Sequence, residues 1–188
     1  DYEGRRIILE HPTAVQSSLR LGCPLVDRTH PDFAALKVLV TVLGGYFGSR
    51  LMSNIREEKG YTYGINASIA SFPFQGYLAI GTETDNEYVE PCIREVKYEM
   101  RRLQEELIPE QELSMVKNYM IGEMCRNYED PFSLSDAWIF VKTAGLENDF
   151  FQTLAEKIRR VKAEELRDLA FRYFQSENMI EVVAGKKM

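Results

Sequence analysis

The chain has 188 residues, of which 45% are hydrophobic and 28% are charged, a balance that is typical of a globular protein. Its net charge of -6 argues against a nucleic-acid partner, because such binding depends on Lys and Arg neutralising phosphates. No apolar run approaches the ~20 residues that a membrane-spanning helix needs, so we expect no membrane span.

The first elements predicted along the chain are two strands and a helix. Residues Arg5–Glu10 and Ala14–Val26 have strand character on either side of the turn His11–Thr13, and the second strand alternates apolar and polar residues. This alternation is typical of a sheet with one wet face. Pro31 suits the first turn of a helix, whose apolar stripe ends at Gly44–Gly45.

A short helix is expected next over Ser49–Glu58, and Gly60 is placed to end it in a left-handed conformation. Strands over Tyr61–Phe72 and Gly76–Thr84 follow, and the short turn between them predicts an antiparallel hairpin. A long helix then runs up to Leu107. The remaining predicted elements are a helix opened by Pro109, two or three shorter helices over Phe132–Phe174, and a closing strand over Asn178–Ala184.

Strands joined by short turns, with several helices among them, predict an α+β fold with a mainly antiparallel sheet and helices packed on one face. No linker or repeat interrupts the chain, so we expect a single domain over residues 1–188. Because the chain begins with Asp1, we expect it to be part of a longer protein or a processed product. The three cysteines are widely spaced without a Cys-x-x-Cys pattern. They favour a reduced compartment such as the cytoplasm, and the location is otherwise unknown.

The sequence offers few residues for metal or nucleophilic chemistry. Its two histidines, His11 and His30, each precede a proline in a turn, and neither has a second ligand at helical spacing. No nucleophile elbow is present. Gly44, Gly45 and Gly48 follow a helix and no Gly-Lys-Ser/Thr sequence comes after them, so they do not indicate a phosphate-binding loop. We expect these glycines to break the helix and allow tight packing.

The most informative segment is Gly44–Ala67, which contains Arg56 and Tyr63 seven residues apart. A turn at Gly60 between a helix and a strand can bring the guanidinium and the phenol into one small volume. Both groups donate hydrogen bonds, so the pair is suited to holding a peptide carbonyl. From the residues alone, a solvated helix end and an ordinary strand tyrosine explain the same pattern.

Two parts of this segment closely resemble the C-terminal, non-zinc domain of pitrilysin-type zinc metallopeptidases, the group that includes insulinase and the mitochondrial processing peptidase. They are GGYFGSRL at Gly44–Leu51 and IREEKGYTYGI at Ile55–Ile65. The wider family pattern agrees at Gln16–Ser17, Gly22–Pro24 and Glu112–Leu113. The resemblance is clear over Arg5–Lys117 and looser beyond.

The resemblance implies a division of labour. In the family, two homologous domains form each half of a clamshell that closes around a peptide. The zinc is bound by an inverted His-x-x-Glu-His motif in the N-terminal domain of the catalytic half, and this motif does not occur in the present sequence. We therefore expect no cofactor in this chain and zinc in the complete enzyme. Arg56 and Tyr63 match, in type and spacing, the pair that reaches the substrate near the scissile bond.

The resemblance thus predicts the substrate-positioning C-terminal domain of a zinc endopeptidase, inactive by itself. It implies an extended peptide as substrate, a zinc-bearing domain or subunit as partner, and a dimer in the full-length form. A second interpretation is a non-catalytic scaffold subunit, since some members, such as the core proteins of the respiratory cytochrome bc1 complex, have lost catalysis. A third, an unrelated α+β ligand-binding domain, requires a different strand order.

Overall fold

One five-stranded sheet forms the framework of the protein in a computed structural model that describes residues 5–186. The strands lie in the order β1-β5-β2-β4-β3. Their bounds are β1 Arg5–Glu10, β2 Gln16–Leu25, β3 Ile65–Phe72, β4 Gln75–Asp85 and β5 Ile180–Gly185. All strand pairs except β1 with β5 are antiparallel, so the predicted α+β fold with a mainly antiparallel sheet is confirmed.

Six α-helices and one π-helix connect these strands within the described residues. The α-helices are α1 Phe33–Gly44, α2 Val89–Glu105, α3 Glu110–Arg126, α4 Pro131–Thr143, α5 Phe150–Arg160 and α6 Ala163–Tyr173. The π-helix covers Met52–Glu58, inside the helix that the sequence predicts at Ser49–Glu58. The predicted order of helices and strands is therefore confirmed, and the terminal residues differ by a few positions.

The predicted turn between the first two strands does not make them neighbours. β5 lies between β1 and β2, and it pairs with β1 in parallel, with Ile7 opposite Val182. β5 pairs with β2 in the antiparallel sense, with Leu19 opposite Val183. The first strand thus forms its hydrogen bonds with β5, near the other end of the chain. Because the two strands are far apart in the sequence, the short turns between successive strands do not predict this pairing.

The alternating pattern of β2 separates the two faces of the sheet as predicted. Leu19, Leu21 and Cys23 are buried, whereas Gln16 and Arg20 between or beside them are exposed. The helices cover the buried face, and α1 lies against β3 with leucines that have no exposed surface. Burying each such side chain contributes roughly 1.5–3 kcal/mol relative to leaving it in water. The other face of the sheet stays open.

Helix α4 is an exception to this packing. Asp130 accepts hydrogen bonds from the Ser133 hydroxyl at 2.5 Å and from the backbone N–H groups of Phe132 and Ser133 at 2.8 and 3.1 Å, and these bonds lower the pKa of its carboxyl. Pro131 occupies the first helical turn, where a missing N–H costs little. Within α4, only Val141 is buried, and the large apolar side chains left exposed are Phe132, Leu134, Trp138, Ile139 and Phe140.

Over residues 5–186, the helices are all too short or too polar to cross a bilayer. The single domain over residues 1–188 stays a prediction. Its two ends, residues 1–4 and 187–188, lie outside the described residues.

Candidate functional site

The chain after α1 turns through a wide helix that carries Arg56. Helical hydrogen bonding begins again at Arg50 and widens over Met52–Glu58, where Lys59 N–H donates to the Asn54 carbonyl at 3.1 Å. The next backbone hydrogen bond spans one residue more, from Tyr61 N–H to the Ile55 carbonyl at 3.0 Å. π-Helical turns are rare and occur often at functional sites.

Two polar contacts hold this wide helix against the helical layer. The side-chain amide of Asn54, which is 8% exposed, donates to Glu99 at 2.7 Å and to Glu95 at 3.0 Å. One turn earlier, Arg50 donates two hydrogen bonds to Glu112, both at 2.9 Å. The helix that carries Arg56 is therefore fixed to both α2 and α3.

Gly60 ends this helix in the left-handed region, with a φ of +66°, as the sequence predicts. The strand predicted from Tyr61, however, begins only at Ile65. Tyr63 therefore lies in a loop, and the prediction that the strand already includes residues 61–64 is wrong. Tyr61 is instead partly buried and stacks on Tyr88, with ring centroids 4.8 Å apart.

Threonine hydroxyls replace the strand ladder in this loop. Thr62 donates to the Glu83 carbonyl at 2.7 Å, and Thr82 donates to the Gly64 carbonyl at 2.8 Å. Thr84 donates to the carbonyl of the first loop residue, Tyr61, at 2.6 Å. Because threonine hydroxyls make these hydrogen bonds in place of backbone N–H groups, the backbone of residues 61–64 can leave the sheet. The loop is nevertheless anchored at both ends to β4.

Arg56 and Tyr63 line the same open depression, which has a volume of about 610 Å³. Tyr63 is 94% exposed, and the Arg56 side chain is 34% exposed, so neither belongs to the core. The other lining residues come from the end of the π-helix, the loop and the ends of β2 and β4: Gln16, Glu57, Gly60, Tyr61, Thr62, Glu83 and Asp85. The structure thus brings together the two residues that the sequence singles out.

The guanidinium of Arg56 is held without hydrogen bonds from the described part of the chain. Its central carbon lies 4.7 Å from the centroid of the Phe47 ring. Its nearest carboxylate oxygen belongs to Glu57, 3.8 Å from Nη1, which is too long for a hydrogen bond. The donor N–H groups of Arg56 are therefore available to a ligand.

The rim of the depression is acidic and ordered by its own contacts. Arg20 donates to Glu83 at 2.8 Å, and this hydrogen bond lowers the pKa of the Glu83 carboxyl. Asp85 accepts from the Gln16 side chain at 3.2 Å. Glu57 lines this depression, whereas the adjacent Glu58 lines a separate cavity on the helical side, so the two do not form an acid–base pair.

Sequence reasoning missed the residues that place this pair. Phe47 contacts Arg56, and its only signal is its position between the glycines of the helix break. Thr82 and Thr84 are each 1% exposed and occupy the inward phase of β4 after Leu78 and Ile80. Two threonines on the otherwise apolar, buried face of a strand are a signal that the sequence contains, because buried hydroxyls require hydrogen-bond partners.

The described residues contain no group of three or more His, Cys, Asp or Glu side chains that could hold a metal ion. His30 has a structural contact: its Nδ1 accepts from the Asp32 backbone N–H at 3.1 Å, just before α1. Gly44, the last residue of α1, allows close packing, since a Cβ on it would lie 2.7 Å from the Cβ of Ala67.

The fold is that of an α+β domain with a mainly antiparallel sheet, as the resemblance to the non-zinc domain implies. The chain belongs to the peptidase M16 inactive-domain family, whose model matches residues 1–120. This membership confirms the resemblance that rests on the segment Gly44–Ala67.

Among curated proteins, the chain is 29% identical over 179 residues to the non-peptidase homolog YmxG of Helicobacter pylori, covering 92% of the chain and 40% of that protein. It is also 29% identical over 114 residues to the uncharacterized zinc protease YmxG of Bacillus subtilis, covering 61% of the chain and 28% of that protein. The chain therefore spans less than half the length of these relatives.

Solved structures show the same fold. The peptidase M16 inactive domain from Pseudomonas fluorescens has a TM-score of 0.89 and 23% identity, and the match covers 99% of this chain and 44% of that one. A protease from Helicobacter pylori also has a TM-score of 0.89, with 16% identity over 97% of this chain and 44% of that one. At these identities the likeness concerns the fold alone.

Proposed function

We propose that this domain positions an extended peptide for hydrolysis at a zinc ion held by another domain or subunit. The observation that carries the proposal is the shared depression of Arg56 and Tyr63. The two side chains come from different elements, both reach solvent, and the N–H donors of Arg56 are unused among the described residues. Such a surface can bind a backbone carbonyl of a peptide presented from outside.

The chemistry assigned to each residue follows from its donor groups. Arg56 offers a rigid fork of N–H groups to carbonyl oxygens. Tyr63 offers one O–H to the carbonyl oxygen as it gains negative charge. Removing a single donor of this kind raises a reaction barrier by roughly 3–4 kcal/mol. Binding and orientation are therefore the tasks of this chain, and the zinc ligands are expected elsewhere.

The proposal requires a second protein surface opposite the depression. The uncharacterized zinc protease YmxG of Bacillus subtilis is more than three times as long as its matched region, which leaves room for a zinc-bearing domain in that protein. We extend this to the present chain: a zinc-bearing domain or partner subunit faces the depression, and the assembled protease is a dimer with peptide between its halves.

Peptide hydrolysis by the protease assembled from this chain and its zinc-bearing partner tests the proposal. Arg56→Ala and Tyr63→Phe should each lower kcat/KM by roughly 100-fold, with the bound zinc unchanged. Arg101→Ala and Tyr98→Phe, at exposed positions of α2, are the matched controls and should retain activity. Wild-type kinetics in both site variants would refute the assigned roles.

A scaffold function is the second candidate, and the relative with the widest coverage of those described above favours it by name, as a non-peptidase homolog. In that case the domain serves assembly, and Arg56 and Tyr63 have no kinetic role. Co-purification with a zinc-bearing partner, followed by a peptide assay of the complex, distinguishes the two. A stable complex that contains zinc but cleaves no peptide supports the scaffold.

A further inference from the structure

We propose that Phe47 is a positioning residue that holds the Arg56 guanidinium over its ring face, and this inference rests on the proposed function. The guanidinium carbon lies 4.7 Å from the ring centroid, within the distance at which a cation is attracted to an aromatic face. Phe47 is 65% exposed, so its contact with the guanidinium lies at the surface of the domain.

The loop after α1 is shaped so that Phe47 points outward. Ser49 N–H donates to the Tyr46 carbonyl at 3.1 Å, which closes a tight turn with Phe47 as its first central residue. Gly45 has no room for a side chain, because a Cβ would lie 2.6 Å from the Thr41 Cα. Tyr46 is directed to the helical side, where its ring meets that of Tyr119 with centroids 5.3 Å apart.

Stacking is a suitable way to fix a guanidinium that must bind a ligand. A carboxylate at hydrogen-bond distance would occupy N–H groups of Arg56, and Glu57 remains too distant to do so, at 3.8 Å. The contact with the Phe47 ring restrains the guanidinium and supplies no carboxylate or carbonyl oxygen that would occupy these donors. The side chain is thus pre-organised, and the entropy lost on binding a peptide carbonyl is smaller.

The contact itself can be measured on this chain alone. A guanidinium over a ring face experiences a ring current, so the Arg56 Nε–H proton resonance should be shifted upfield in NMR spectra. Phe47→Leu should return that resonance to the normal arginine range, and Phe47→Tyr should keep the shift. Phe171→Leu, an exposed phenylalanine of α6, is the control and should leave it unchanged. An unshifted wild-type resonance would overturn the inference.

The kinetic role is tested in the assembled protease. Phe47→Leu should lower kcat/KM about two- to fivefold, because the loss of an exposed cation–π contact has an effect of that size. Phe47→Tyr keeps an aromatic ring and should have a kcat/KM near the wild-type value. In the Arg56→Ala background, Phe47→Leu should have no further effect, since there is no guanidinium left to position.

The outcomes separate this inference from the proposed function. If Arg56→Ala lowers kcat/KM but Phe47→Leu does not, the positioning role is wrong and the proposed function stands. If Phe47→Leu has the same effect with and without Arg56, Phe47 acts independently and the positioning role is again wrong. If Arg56→Ala leaves kcat/KM unchanged, the proposed function fails, and the kinetic role of Phe47 fails with it.

Discussion

The left-handed turn at Gly60 allows a sharp test, because the chain contains a matched glycine elsewhere. Gly60 has a φ of +66° and Gly145, in the loop after α4, has a φ of +64°. A Cβ added at either position would meet nothing within 4 Å. Alanine at each site therefore introduces backbone strain without a clash, and roughly 1–2 kcal/mol of stability should be lost in both variants.

The two variants should differ in function. Gly60 lies between Arg56 and Tyr63, so a backbone that relaxes from φ +66° changes the relative placement of the guanidinium and the phenol. A displacement of 1 Å in a positioned group can lower a reaction rate 100-fold. We expect Gly60→Ala to lower kcat/KM at least tenfold, roughly 1.4 kcal/mol in barrier, and Gly145→Ala to leave it near the wild-type value.

Urea unfolding followed by circular dichroism measures the first effect, and peptide hydrolysis by the assembled protease measures the second. Gly60→Asn provides a rescue, because asparagine tolerates the left-handed region better than alanine. The reasoning is refuted if Gly145→Ala impairs hydrolysis as much as Gly60→Ala. It is also refuted if Gly60→Ala costs no stability, which would mean that the turn relaxes freely.

The remaining predictions concern the support of the site and the chemistry of the cysteines. Thr82→Val removes the hydroxyl that anchors the loop before β3, so the free energy of unfolding in urea should fall by about 1–3 kcal/mol. Glu112→Gln removes the negative charge of the side chain that accepts two hydrogen bonds from Arg50, and the free energy of unfolding in the same assay should fall by about 1–3 kcal/mol. Burial raises the pKa of the Cys23 thiol to about 11, so its stabilising contribution is complete below pH 9 and is lost as pH rises toward 11. At pH 8 a disulfide reagent should modify only the exposed Cys125 rapidly, and Cys125→Ser should abolish that reaction.

Local patterns predicted the elements well where short-range chemistry decides them. The β3–β4 hairpin and the left-handed Gly60 follow from turn residues within a few positions. The pairing of β1 with β5 does not, because it joins opposite ends of the chain and depends on the complete sheet. The late start of β3 at Ile65 also escaped prediction, since threonine side chains of the loop and of β4 replace the ladder that the Tyr61–Gly64 sequence suggests.

The role of Arg56 and Tyr63 stays a prediction, and the residues that support them could not be predicted from the sequence. Arg56 and Tyr63 stand out by type and spacing, and the structure places both at one depression. Phe47 lies in the loop after α1 and Arg56 lies in the π-helix, so their contact depends on how the π-helix turns. Each hydrogen bond of a π-helix spans one residue more than in an α-helix, and this difference is not visible in the spacing of apolar residues. The geometry of this contact could therefore not be derived from periodicity.

The position of Trp138 on α4 determines what intrinsic fluorescence can report about this protein. It is the sole tryptophan of the sequence, it is half exposed, and the ammonium of Lys142 lies 4.5 Å from its ring centroid. Its emission in the folded state should resemble that of a solvated indole, so melting of the sheet will change the signal little. Optical traces at this wavelength therefore follow the environment of α4, and any surface that comes to cover the indole will shift its emission to the blue.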